Sequence, residues 1–137
     1  MSPSSATKTT GANPSPQEIV LAFNEMINSR NLEGLANMMT DDHTFIDSSD
    51  DVHVGKEMMV AGWKEFFESY PDYRNHFSYL ETRDEWVYIL GHSTCSYPPL
   101  DGPAIWTARI EAGLVAEWRV YLDTDENRRV LELPLDL

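Results

Sequence analysis

The sequence is short of cysteine, of basic residues and of long apolar runs, and each shortage excludes something. Cys95 is the only cysteine in 137 residues, so neither an internal disulfide nor a cysteine-based zinc site can form. Lys and Arg number 10 against 23 Asp and Glu, a formal charge of -13. Nucleic acid and anionic membrane surfaces both demand clustered Lys and Arg, so neither is an expected partner. No stretch approaches the ~18 apolar residues of a membrane-spanning helix. The first residues also lack the apolar core behind basic residues that marks a secretory signal. A reducing, cytoplasmic location is therefore expected. His43, His53, His76 and His92 show no H-x-x-x-H or H-E-x-x-H spacing. Asp50-Asp51 lacks the glycine and spacing of a calcium loop, so neither metal nor cofactor is expected.

What is present reads in order along the chain. Residues 1–14 are Ser-, Thr- and Pro-rich with almost no large apolar group, which predicts a disordered tail. Residues 15–137 are long enough for one domain with its own core. Ser15, Pro16 and Glu18 spell a capping box with proline at the first helical position. Ile19, Val20, Phe23, Met26 and Ile27 follow at helical spacing to about Ser29. Asn31 is placed to cap a second helix carrying Leu32, Leu35, Met38 and Met39, ended by Asp41-Asp42. A short strand is predicted over His43–Asp47, a polar turn over 48–53, and a third helix from about Gly55 to Tyr70. The period then changes to two. Strands are predicted over 76–82, 85–97, 104–111 and 114–124, with Ala112-Gly113 as the last hairpin turn and the proline-rich 98–103 as a loop. Helices first and a meander after predict an α+β fold: three N-terminal helices packed on a curved, mostly antiparallel sheet. The result is a cone with an internal cavity where helix and sheet diverge.

Three stretches carry a family resemblance: FNEMINSRNLEGLANMMTDDHTFIDS (23–48), HVGKEMMVAGWKEFFESYPDYR (53–74) and ARIEAGLVAEWRVYLD (108–123). With this order of elements, the chain resembles the nuclear transport factor two-like superfamily of cystatin-like cones, and within it the SnoaL-like polyketide cyclase branch. The resemblance covers about residues 16–126. It implies the cone fold but no single reaction, since the fold hosts isomerases, cyclases, epoxide hydrolases, dehydratases and non-catalytic binders.

Three residues are candidates for catalysis. Asp47 ends the first strand, where the resemblance places the proton-shuttling carboxylate of ketosteroid isomerases; aromatic walls would raise its pKa toward that of a general base. The alternative is a solvated turn residue. His92 shares a predicted strand face with Tyr88, Leu90 and Thr94, and a neutral imidazole there would serve as acid or base. Aligned with the epoxide hydrolases, His92 and Thr94 fall where those enzymes keep arginine and aspartate, so that chemistry does not carry over. Asp123 belongs to the WRVYLD word near the acid/base aspartate of SnoaL-like cyclases. Strict alternation, however, opposes it to Trp118 across the strand. The isomerases' oxyanion-hole tyrosine and aspartic acid match Phe23 and Trp106 here, which argues against steroid isomerisation.

Phe23, Phe45, Trp63, Tyr88, Trp106 and Trp118 are the candidate pocket wall, suited to a small, flat, apolar ligand. His53 is read as a solvated turn residue with the cavity rim as its alternative. Thr107, Arg109, Arg119 and Tyr121 would project from the opposite sheet face and suit a homodimer contact. Three functions stay open: a cofactor-free isomerase, cyclase or lyase acting on a carbonyl-type ligand, a binding module with the pocket alone, and a protein-binding domain with a filled cone. The sharpest expectation is that Asp47 and His92 face one cavity.

Overall fold

The computed structural model describes residues 13–137. Residues 1–12 of the expected tail lie outside the described residues. Helix α1 (Pro16–Asn28) opens on the capping box: Ser15 Oγ accepts from the Glu18 amide at 3.2 Å and the Glu18 carboxylate accepts from the Ser15 amide at 2.8 Å. Two donors that a helix start leaves unpaired are thereby satisfied. Helix α2 (Leu32–Asn37) is capped by Asn31, whose Oδ1 accepts from the Gly34 amide. It ends earlier than its apolar spacing predicts. Met39 is the first residue of strand β1 (Met39–Ile46), and Asp41 and Asp42 lie inside that strand. Tertiary pairing overrides local pattern here: the Met38 carbonyl accepts from the Val115 amide at 2.7 Å, and Met39 is buried as a strand residue.

A tight turn leads into strand β2 (Val52–Val54), then helix α3 (Lys56–Ser69). The meander follows: β3 (Arg74–Arg83), β4 (Trp86–Thr94), a single 3-10 turn at Pro98–Leu100, β5 (Gly102–Glu111) and β6 (Leu114–Leu122). Ala112 and Gly113 both have positive φ, as a tight two-residue hairpin requires. A last short helix, α4 (Asp125–Val130), has no counterpart in the sequence reading. The six strands are ordered β2-β1-β6-β5-β4-β3. Only the β1–β6 pair is parallel, so the fold is an α+β cone on a mixed sheet.

The inner face of the sheet supplies Val87, Ile89, Trp106, Ala108 and Trp118 to the core. Helix α1 covers it with Ile19, Val20, Phe23 and Ile27, each side chain contributing about 2 kcal/mol by burial. Helix α3 adds Met59, Trp63 and Phe67, one helical turn apart. A second, smaller core lies on the outer face, where Leu90 and Ile105 are sealed by Leu133 from beyond α4. Two arginines hold that covering segment down. Arg83 donates to the Leu131 and Glu132 carbonyls at 2.8 and 2.6 Å. Arg128 takes both oxygens of Asp123 at 2.7 and 2.8 Å and donates to the Pro134 and Leu137 carbonyls.

Gly91 sits where β3 and β4 come closest, opposite Phe77 at the point where their register shifts. A Cβ there would collide with the His76 carbonyl oxygen and crowd the Phe77 Cα. Backbone cannot yield as a side-chain tip can. Gly91→Ala is therefore expected to cost about 2 kcal/mol, read as a lower urea midpoint with an unchanged m-value.

Candidate functional site

Helix α3 and the inner sheet face diverge toward the β1–β2 end of the sheet and leave a cavity of about 370 Å³. Its deep wall is aromatic. Trp63 projects from α3, and Trp106 and Trp118 from β5 and β6; these are 7%, 1% and 1% exposed. Phe45 of β1 meets the Trp63 ring edge-on, with centroids 6.2 Å apart. The rim is polar and open: Asp47, Ser48 and His53 face Met58, which is more than half exposed.

The rim pair is built by the turn between β1 and β2. Asp47 Oδ1 accepts from the Ser49 and Asp51 amides at 2.9 and 3.1 Å, and Asp50 adopts positive φ. This local bonding folds the chain back so that His53 pairs with Phe45 across the strands. His53 Nε2 then lies 3.4 Å from Asp47 Oδ2. A carboxylate can only accept, so Nε2 carries the proton and Nδ1 is left as the ring's acceptor. Burial pushes the Asp47 carboxyl up, but the Asp51 and Ser49 amides and His53 together outweigh it, and its pKa falls below the ordinary carboxylate value. The raised pKa expected from aromatic walls is not what this site produces, because the carboxylate is fed by two backbone donors before it reaches the cavity.

In the cavity wall itself, Tyr73 starts a buried polar chain. The Ser93 hydroxyl is 3.2 Å from the Tyr73 hydroxyl and 2.8 Å from Asn75 Oδ1. Asn75 Oδ1 only accepts, so the Ser93 proton goes there and Tyr73 donates to Ser93. Burial raises the Tyr73 pKa, which keeps the phenol protonated.

Of the nine residues singled out from sequence, the structure gathers five at the cavity: Asp47, Phe45, Trp63, Trp106 and Trp118. Phe23 is fully buried behind it, packed on Trp118 at 4.8 Å. Tyr88 and His92 are on the outer face. Tyr88 lies under the Arg83 guanidinium at 4.1 Å, and exposed His92 stacks on His76 at 4.7 Å. The alternation in β4 is therefore the opposite of the expected one. Ile89 and Ser93 point inward, and Leu90 is buried on the outside by Leu133. Asp47 and His92 do not share a cavity. Asp123 also faces outward, bound to Arg128 with both side chains nearly buried. Strict alternation from Trp118 opposes it to the cavity, and an arginine partner within the sheet, Arg119 or Arg109, is the alternative the sequence offers; the actual partner, Arg128, comes from α4. The residue sequence reasoning set aside is His53. Its signal was the Val52-His53-Val54 alternation directly after a turn-forming SSDD.

Among the described residues no group of three or more His, Cys, Asp or Glu is placed to hold a metal. No helix among them is long and apolar enough to cross a membrane.

The family model for the SnoaL-like domain matches residues 20–118. No curated protein matches the chain. Solved structures match at the level of fold. A cystatin fold protein from Novosphingobium aromaticivorans is 20% identical with a TM-score of 0.69, covering 79% of this chain and 98% of its own. A protein from Shewanella denitrificans provisionally named a SnoaL-like polyketide cyclase is 14% identical with a TM-score of 0.69, covering 85% and 96%. One from Kribbella flavida provisionally named a ketosteroid isomerase is 13% identical with a TM-score of 0.68, covering 80% and 78%.

The rim turn has a pH signature. Asp47's lowered pKa means that its charge stabilises the fold above the ordinary carboxylate pKa, about 4, and that this contribution is lost as pH falls through the lowered value. Asp47→Asn keeps an Oδ1 acceptor for both amides and removes only the charge. The variant should melt slightly below wild type at neutral pH, and thermal melts across an acid series should show the gap closing.

Proposed function

The chain belongs to the SnoaL-like domain family, and we propose that it binds a small, flat, apolar carbonyl compound in the cone cavity and moves a proton on it. His53 is the acid or base, and Asp47 orients it. One observation carries this reading: two ionisable side chains meet at 3.4 Å on the rim of a cavity otherwise walled by aromatics. Proton transfer by such a pair needs no cofactor. The cavity is open, which weighs against a filled, purely protein-binding cone.

The second reading is binding without chemistry. It is favoured by the exposure of the pair, 43% for His53 and 34% for Asp47, which leaves both in contact with water. Exchange of the α-protons of α-tetralone in heavy water separates the two. Wild type should speed exchange over a matched imidazole–acetate buffer. His53→Asn and Asp47→Asn should each reduce that acceleration by about 10²-fold while tetralone affinity stays within a few-fold. Tetralone bound with no acceleration would leave the binding module.

We also propose a homodimer formed through the outer sheet face, in the cytoplasm that a lone free cysteine suits. Arg83 over Tyr88 and Arg119 over Tyr121 present flat plates on that face, and the buried Thr107 hydroxyl lies 3.4 Å from that of Tyr121. Light scattering should give twice 15.7 kDa. Tyr121→Glu should return the monomer without changing tetralone affinity.

A further inference from the structure

Two tryptophans of the cavity wall carry a donor that the protein never uses. The indole Nε1 atoms of Trp63 and Trp106 are shut off from solvent and have no hydrogen-bond partner among the described residues. Trp63 is 7% exposed and Trp106 1%. A buried donor left unpaired is costly, and native proteins keep few of them. Two on opposite walls of one cavity, one from α3 and one from β5, ask for a common explanation. The other orphaned atoms do not line this cavity: His43 Nε2 belongs to a fully buried ring that packs near Phe23, and Arg119 Nε to the outer face.

The remaining wall makes the request specific. Tyr73 spends its proton on Ser93, which leaves indole N–H groups as the inner cavity's donors, and those of Trp63 and Trp106 are the two shut off from water. Among the described residues no Lys or Arg lines the cavity, and the one charged lining residue is Asp47 at the rim. An anion would meet a carboxylate on entry and no counter-charge inside. A hydrocarbon would leave both N–H groups unpaired.

Building on the binding reading above, we infer that Trp63 and Trp106 are the specificity residues of the cavity. They donate to an uncharged acceptor oxygen, a ketone or quinone carbonyl, at the inner end of the ligand. Each ring turns slightly about its Cβ–Cγ bond to present its N–H. This fixes the ligand's direction: carbonyl oxygen against the indoles, with the α-carbon beside it turned toward His53 and Asp47.

The test compares three probes of one skeleton: α-tetralone, tetralin, which lacks the oxygen, and aminotetralin, which carries an ammonium. Wild type should bind tetralone at least tenfold more tightly than tetralin. Isotope-labelled indole N–H signals should shift downfield with tetralone for Trp63 and Trp106, not for Trp86, and for none with tetralin. Trp63→Phe and Trp106→Phe keep an aromatic ring and lose the donor. Each should shrink the ratio of tetralone to tetralin affinity several-fold, and a cooperative thermal melt certifies that the variant is folded. Equal binding of tetralone and tetralin without N–H shifts would overturn this inference while leaving the cavity a binding site. Tightest binding of aminotetralin would overturn it in favour of the ring faces reading a cation. Failure of all three probes to bind would overturn both this inference and the binding reading.

Discussion

The parallel pairing of β1 with β6 is the constraint on which the site depends. The two strands are about 70 residues apart in sequence, and the meander alone would leave β6 as an exposed edge. Laying β1 beside β6 sets Phe45 opposite Trp118. The join is pinned at its far end by the Met38 carbonyl and by His43, whose buried Nδ1 is 2.7 Å from the Val115 carbonyl. Burial lowers the His43 pKa, so the ring is neutral and Nδ1 donates to that carbonyl. Everything at the cavity mouth hangs from the free end of β1. The turn after Ile46 places Asp47, and β2 returns His53 beside Phe45. A slip of this join by one residue would turn Phe45 out of the cavity and carry the rim pair with it.

Much of this was legible in the sequence, and the exceptions have a shared cause. Helix α1, its capping box, α3, the four meander strands and the Ala112-Gly113 turn follow from local spacing and capping chemistry alone. Trp63 sits on the cavity side because Met59, Trp63 and Phe67 recur at helical spacing, a pattern visible without coordinates. Misreadings arose where a distant segment decided a local question. In β4 local bulk assigns Tyr88 and Leu90 to the interior. Leu133 and the Arg83 clamp make a second interior on the outside, so bulk did not mark the inner face. Met39–Asp42 reads as the end of a helix until β6 is available to pair with it. Asp123 could be excluded by alternation, yet its partner Arg128 lies in a helix too short to announce itself.

The same contrast bears on how the cavity came to be polar where it is. Its deep wall is made by residues that also build the core, so its polar atoms there are those that ride on aromatic rings. The rim is made by a turn, and turn residues are selected for backbone bonding. Asp47 serves both ends: one oxygen satisfies the turn amides and the other is left for His53. Fold and candidate chemistry therefore meet in a single side chain, and its two oxygens have separate duties.

On the proposed reading, that division sets which member of the pair carries the proton. A general base works best when its pKa lies near the working pH. Asp47 is held below the ordinary carboxylate value by the very amides that build the turn, so it stays anionic and is a weak base. An anion 3.4 Å from Nε2 orients the imidazole. That leaves His53 as the proposed proton carrier. Its partial exposure then becomes useful, because a group that cycles protons must re-equilibrate with water between turnovers. On that proposal the carboxylate holds the ring at the mouth of an aromatic cavity, and the cavity keeps a ligand's reacting edge there.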